Sequence, residues 1–346
     1  MQHMKEEYRI RNTEHKRRNL CPVLCLLSSV SCLLCSAFGV LIPALVVGCA
    51  SFEHLTNVSN EMPKAKECGK CHVEVYQEWA RSDHARAYIN PEFRQATNDY
   101  AFESCLSCHA PEPSATDRPP RLRAANREDG ITCVCCHLDQ GKLAGPMEPT
   151  GAVHPHPVAV RPEFYRSSKM CGGCHQGTFD EWNLAAGDKP TCQQCHMDEV
   201  VRKVTQPTSG VSGLLVATEK TAVLRRHGFP ILGQHIGDKV LTVRGGKNGA
   251  VLTLEVKNNL PHTLPTGEFG FRVLELTVIA LDGRFRDTVL GRRELAPEAS
   301  SAIAARGTLT WDLQVPPDTT KALVRLQRRS YEDTPIIVLA NVELDL

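Results

Sequence analysis

The chain has almost no net charge: 40 Lys and Arg stand against 39 Asp and Glu over 346 residues, leaving +1. That balance offers no basic field to a polyanion, so nucleic acid is not expected as a partner. From Ser51 to Val204 the chain also lacks long apolar periodic runs and is instead rich in Cys, His, Pro and Gly. A conventional hydrophobic core is hard to build from such a stretch, so something other than side chains must fill it. Methionine is scarce, and cysteine is absent after Cys195, which removes thiol chemistry from the rest of the chain.

What cysteine there is lies in two groups. Five of the 16 (Cys21, Cys25, Cys32, Cys35 and Cys49) fall in an apolar N-terminal stretch, and eleven lie between Cys68 and Cys195. The N-terminal stretch runs from Leu20 to about Gly48 behind the basic Lys16-Arg17-Arg18, the pattern of an export signal or a membrane span. It ends Val46-Val47-Gly48-Cys49-Ala50, which is similar to a bacterial lipoprotein cleavage site, with Cys49 as the lipid attachment residue. The alternative is a retained helix, long enough to span a bilayer. Either reading places the remainder on the periplasmic or extracellular side, anchored to the membrane.

Five times the chain reads Cys-x-x-Cys-His: Cys68/Cys71/His72, Cys105/Cys108/His109, Cys133/Cys136/His137, Cys171/Cys174/His175 and Cys192/Cys195/His196. Two thiols three positions apart can reach the two vinyl groups of one haem, and the adjacent imidazole then lies under the iron as proximal ligand. Zinc ribbons also use paired cysteines but do not require histidine after every second one, and structural zinc thiolates are uncommon in exported chains. A single redox Cys-x-x-Cys in a thioredoxin-like setting is missing. The expected cofactors are five covalently bound haem c groups. Their propionates would make the loaded protein distinctly acidic. Cys135, between the attachment cysteines of the third motif, is left over and is read as a spare thiol.

The sixth ligand decides what each iron can do: histidine saturates it for electron transfer, and an open position admits a substrate. His84, His154, His156, His227, His235 and His262 are the candidates. They suffice for mostly bis-histidine ligation. His84 lies on a helix expected from Val73 to Tyr88, stopped by Asn90-Pro91. Of His154 and His156, flanked by prolines, His156 is preferred.

After Lys239 the texture changes to alternating apolar runs at Val240 to Val243, Val251 to Val256, Arg272 to Leu281, Thr308 to Val315, Ala322 to Leu326 and Ile336 to Leu344, with a weaker one near Asp287 to Leu290. Seven strands of this kind suggest an immunoglobulin-like sandwich, with a barrel as the alternative. The expected class is therefore α+β and multidomain. Residues 1–49 form the export segment, 50–204 a haem-packed domain of short helices and loops, 205–238 a connector supplying distal histidines, and 239–346 a β-sandwich.

The run Cys68-Gly-Lys-Cys-His72, followed by Tyr76-Gln-Glu-Trp79-Ala-Arg-Ser82-Asp-His84-Ala85, resembles the multihaem cytochrome c family that includes the tetrahaem electron acceptor of hydroxylamine oxidoreductase. So do Asp129-Gly-Ile-Thr-Cys133-Val-Cys-Cys136-His137, His156-Pro-Val-Ala and Met170-Cys-Gly-Gly-Cys-His175-Gln. His227-Gly-Phe-Pro and Asn258-Asn-Leu-Pro-His262-Thr-Leu-Pro-Thr-Gly267 resemble stretches of the larger, pentahaem relatives with a C-terminal β domain. The resemblance implies closely packed haems, distal roles for His84, His227 and His262, and a β domain that reaches back to cap one haem. The fifth motif and the β domain depart from the tetrahaem member, so its partner is not carried over.

The favoured function is an electron carrier between a redox protein donor and acceptor, rather than an enzyme with its own substrate. One alternative is a reductase of a small nitrogen or sulfur oxyanion at one five-coordinate haem, served by Arg121, Arg123 and Arg127. The other is a subunit of an extracellular haem filament or membrane-bound redox complex, which would make the chain part of a complex or homo-oligomer.

Overall fold

The computed structural model describes residues 62–346 except 115–118, 152–155, 207–215, 217, 232–236, 268–272, 282–287, 298–300 and 329–335. Cys49, His154, His235 and the segment 1–49 lie outside the described residues. Residues from Val58 onward form one compact unit.

Among its described residues the cysteine-rich half has ten short α-helices: α1 (Ala65–Cys68), α2 (Val73–Ala80), α3 (Asp83–Arg86), α4 (Pro91–Ala96), α5 (Glu103–His109), α6 (Cys133–His137), α7 (Pro162–Tyr165), α8 (Lys169–Gly172), α9 (Gln176–Leu184) and α10 (Cys192–His196). The single helix expected from Val73 to Tyr88 is in fact two. Ser82 takes an extended conformation after α2, and its Oγ accepts the Ala85 N–H at 3.3 Å, so a new helix starts there. Asn90 ends this region by capping α4: its Oδ1 accepts the amides of Glu92 and Phe93, with Pro91 in the first turn.

Two small sheets brace these helices. β1 (Leu138–Asp139), β2 (Lys142–Gly145) and β3 (Val158–Val160) form one, and β4 (Glu199–Arg202) pairs antiparallel with β5 (Ala222–Arg225) in the other.

The strands expected after Lys239 are present: β6 (Leu241–Asn248), β7 (Val251–Asn258), β8 (Leu274–Leu281), β9 (Thr288–Leu295), β10 (Thr308–Gln314), β11 (Lys321–Arg328) and β12 (Ile337–Asp345). They make two antiparallel sheets, β10-β7-β6 and β12-β11-β8-β9. Alternation explains the arrangement: on β7, Leu252, Leu254 and Val256 are fully buried while Thr253, Glu255 and Lys257 face out. Both sheets contribute to one core, which also takes in Val278, Leu295, Val324 and Leu326.

The helical half has no comparable core among its described residues. Its apolar clusters are Ala65, Trp79 and Ala85 in one place and Val134 and Leu138 in another. That is the expected picture of a region whose interior is meant for large apolar cofactors.

Candidate functional site

Each Cys-x-x-Cys-His segment forms a helical turn, so its two cysteines and histidine share one side of a short helix. In the first and fourth, the histidine is the residue that begins the next helix: His72 precedes α2 and His175 precedes α9. The other three end in it, on α5, α6 and α10. None of the described attachment cysteines forms a disulfide.

Four of the motif histidines are oriented by backbone carbonyls. Nδ1 of His72 lies 2.9 Å from Val204 O, His109 2.7 Å from Ala87 O, His137 2.8 Å from Ala144 O and His196 2.9 Å from Pro230 O. A carbonyl can only accept, so Nδ1 carries the proton and donates it, and Nε2 keeps its lone pair. His227 and His262 are held the same way, by Arg225 O at 2.9 Å and Thr263 O at 3.0 Å. Six histidines thus present Nε2 as a donor to a metal, the arrangement metal-ligating imidazoles adopt.

Distant candidates come together in pairs. The ring centres of His72 and His156 are 6.5 Å apart, those of His84 and His175 6.2 Å, and those of His137 and His227 6.1 Å. His262 stands near enough to His196 to feel its charge. An imidazole nitrogen binds a metal at about 2 Å, so two rings facing one another across a single iron have centres roughly 6 Å apart. The three measured pairs have that spacing, and the residues present fit a haem held between them. Among the described residues no set of three or more His, Cys, Asp or Glu is gathered as a metal cage. A haem iron needs only two donors from the protein, because the macrocycle supplies the others.

Burial favours the neutral, ligating form of His84, His137, His227 and His262. It pulls His84 down to about 4, assisted by His175, and His227 down to about 4, assisted by His137. His137 and His262 are lowered by the same cause. His84 is further fixed by its neighbours. Its ring lies 4.3 Å from that of Phe229, and its carbonyl accepts the Ile131 N–H at 3.0 Å. Gly130, at φ +58°, makes that approach possible, since a Cβ there would come within 2.4 Å of the His84 oxygen.

The attachment thiols of different motifs also meet. Cys68 lies within reach of Cys133, Cys108 of Cys174, and Cys171 of Cys192. The first motif thus neighbours the third, and the fourth neighbours both the second and the fifth.

Sequence patterns did not mark two carboxylates that hold the distal segments. Glu78 on α2 accepts from Arg202 at 2.8 and 2.9 Å, from Arg226 at 2.8 Å and from the His227 amide at 3.0 Å. Burial would raise this carboxyl, but the Arg202 fork, the His227 amide and Arg226 together hold it below its usual range. Glu181 on α9 accepts the Thr263 amide at 3.0 Å and the Thr266 hydroxyl at 2.5 Å. The turn they bracket is also pinned by Asn258, whose buried amide donates to His262 O at 2.8 Å and accepts the Leu260 N–H at 2.9 Å.

Two expectations change. Cys135 is not a spare thiol: it is fully buried, its Sγ 3.1 Å from Pro111 O and 3.3 Å from Arg123. Arg123, named as a possible anion contact, is only 1% exposed, and its donors are committed to the carbonyls of Pro111, Ala125, Asn126 and Gly130 and to Cys135. Arg127 is tied to Arg123 O at 2.7 Å and Arg121 pairs with Glu112 at 3.3 Å, so the three do not form a free basic cluster.

Residues 67–138 match the family described as "Cytochrome c554 and c-prime". Among solved structures, the chain is similar to a penta-heme cytochrome c552 from Thermochromatium tepidum, with a TM-score of 0.55 at 17% identity over 82% of this chain and 99% of that one. Two superoxide reductases, one of them the neelaredoxin of Archaeoglobus fulgidus, overlap 31% of this chain at 14% identity with TM-scores of 0.22 and 0.21, too low to carry an argument. No curated protein matches. The family match spans the first three Cys-x-x-Cys-His motifs, and the fold likeness extends over most of the chain.

Proposed function

We propose that the chain is a five-haem electron-transfer cytochrome whose irons are mostly bis-histidine ligated. The observation that carries this reading is the spacing of the ring pairs, His72/His156, His84/His175 and His137/His227, at 6.1 to 6.5 Å. His196/His262 is the fourth pair. For the site at His109, His154 and His235 are the remaining candidates, both outside the described residues. A bis-imidazole haem iron gains and loses one electron without exchanging a ligand, which suits a carrier rather than an enzyme.

The chain's own residues do the rest. The carbonyls facing Nδ1 fix each tautomer, and the buried setting keeps water from the rings. The nearness of Cys68 to Cys133, of Cys108 to Cys174 and of Cys171 to Cys192 supports close spacing of those sites, as a wire requires. In this reading the C-terminal sheets form an immunoglobulin-like sandwich, supported by their strand order. Their turn at His262 makes the two halves one functional unit. The protein is exported, tethered through Cys49 or an N-terminal helix, and passes electrons between redox proteins. Among the described residues no helix is long and apolar enough to cross a membrane. The reductase alternative loses support with Arg123, which has no donor left for an anion.

The reading is tested at His84. His84→Ala in the haem-loaded protein is expected to convert one low-spin haem to high spin and to create one site for carbon monoxide on reduction. An unchanged electron paramagnetic resonance spectrum, with no carbon monoxide uptake, would contradict the assignment.

A further inference from the structure

We infer that Glu78 and Glu181 are equivalent positioning residues, each holding the segment that presents a distal histidine to the second site of a duplicated two-site module. The duplication starts in the sequence. Cys68-Gly-Lys-Cys71-His72 is followed by Tyr76, Glu78 and Trp79, and Cys171-Gly-Gly-Cys174-His175 is followed at the same offsets by Phe179, Glu181 and Trp182.

The structure repeats it in its local contacts. His72 (φ −92°, ψ 57°) and His175 (φ −104°, ψ 49°) share one backbone conformation, and their carbonyls accept the Tyr76 and Phe179 amides at 2.9 Å each. Each aromatic ring lies over the glycine of its own motif: a Cβ on Gly69 would come within 2.6 Å of Tyr76, and one on Gly172 within 2.9 Å of Phe179. The ring centres of Tyr76 and Trp79 are 5.6 Å apart, and those of Phe179 and Trp182 5.8 Å.

Each module then engages a second motif in the same way. Trp79 Nε1 donates to Ile131 O and Trp182 Nε1 to Pro190 O, both at 2.8 Å. These carbonyls stand two residues before Cys133 and Cys192, each followed by a threonine. The thiol contacts Cys68/Cys133 and Cys171/Cys192 repeat as well.

The glutamates occupy corresponding positions in this frame, and each reaches the histidine segment that faces the second motif. Glu78 accepts the amide of His227, whose ring faces His137. Glu181 accepts the amide of Thr263, next to His262, which lies near His196. The two tethers differ in their supports. Glu78 shares its charge with Arg202 and Arg226, whereas Glu181 takes the Thr266 hydroxyl. A carboxylate accepting an amide forms a charge-assisted bond, strong enough to hold a loop in register.

The inference rests on the reading of His227 and His262 as axial ligands, so its test runs both levels in parallel. In the haem-loaded full chain, carbon monoxide uptake by the reduced protein and the high-spin signal of the oxidised protein are measured for His262→Ala, Glu181→Ala, Glu181→Gln and Glu78→Ala. His262→Ala is expected to open one iron fully. Glu181→Ala should raise uptake at least tenfold over the unsubstituted protein, and Glu181→Gln, which keeps an acceptor for Thr263, should restore it. Glu78→Ala should open a different iron, so that the double variant Glu78→Ala/Glu181→Ala sums the two effects. If His262→Ala opens nothing, the ligand reading falls and the inference with it. If His262→Ala opens an iron and Glu181→Ala does not, the ligand reading stands and the inference is overturned. Should Glu181→Ala fail to mature, Thr266→Val removes one tether while leaving the carboxylate; uptake above that of the unsubstituted protein supports the inference, and none overturns it.

Discussion

A chain made without haem attachment is expected to lose the fold of its helical half while keeping its C-terminal strands. The two halves differ in what holds them. Between Val240 and Ala340, twenty buried apolar residues share one core, and each fully buried Leu or Val is worth about 1.5–3 kcal/mol. Among the described residues of the helical half, the clusters hold only Ala65, Trp79 and Ala85, and Val134 and Leu138. Its helices have at most nine residues, far below the roughly 12–15 at which an isolated helix becomes even marginal in water. With the cofactors absent, little remains to offset the conformational entropy of the segments from Ala65 to Arg202. Amide exchange followed by mass spectrometry checks this. Strands β7, β8 and β11 should stay protected in the haem-free chain while α2, α6 and α10 exchange freely. Protection of those helices at the level of the haem-loaded protein would contradict it.

Arg123→Met is expected to destabilise the loaded protein by roughly 2–5 kcal/mol, the cost of leaving buried carbonyls without their charged hydrogen-bond donor. The guanidinium organises the loop ahead of the third motif. Nε donates to Ala125 O at 2.9 Å, one terminal nitrogen to Pro111 O at 3.1 Å and Cys135 Sγ at 3.3 Å, and the other to Asn126 O at 2.6 Å and Gly130 O at 3.0 Å. Methionine fills similar space but takes the guanidinium donor from Ala125 O and Gly130 O, while Pro111 O keeps Cys135 and Asn126 O keeps the Asp129 amide; each buried orphan costs roughly 1–3 kcal/mol. Arg123→Lys should recover only part of the loss, because an ammonium has three donors and no planar fork. Denaturant unfolding followed by haem absorption measures both. A loss below 1 kcal/mol for Arg123→Met would show that water or a rearranged loop replaces the guanidinium.

How much of this was legible in the sequence depends on how local each signal is. The attachment segments are local, since spacing alone defines them. The strands were legible because alternation is local as well. β9 was the weakest, its pattern blurred by Gly291, by the exposed charges of an edge strand, and by the register shift opposite Val278 and Ile279. The break at Ser82 was missed because the apolar period continues across it and only the serine side chain interrupts the helix. The pairing of histidines is not local: His137 meets His227 across 90 positions (227 − 137). Which imidazole faces which is decided by the connector and by Glu78 and Glu181, whose signal was available only as the repeated offset from His72 and His175. Arg123 and Cys135 were illegible for another reason. An arginine in a basic run and a third cysteine in a motif read as surface and surplus, and only burial shows that they belong to each other.

The central claim is that the paired histidines hold haem irons between them. A high-resolution map of the haem-loaded protein tests it most directly. It should show an iron midway between the rings of His72 and His156, His84 and His175, His137 and His227, and His196 and His262, with Nε2 of each as ligand. An iron bound by only one ring of a pair, or a metal held by the Cys-x-x-Cys thiolates instead, would contradict it.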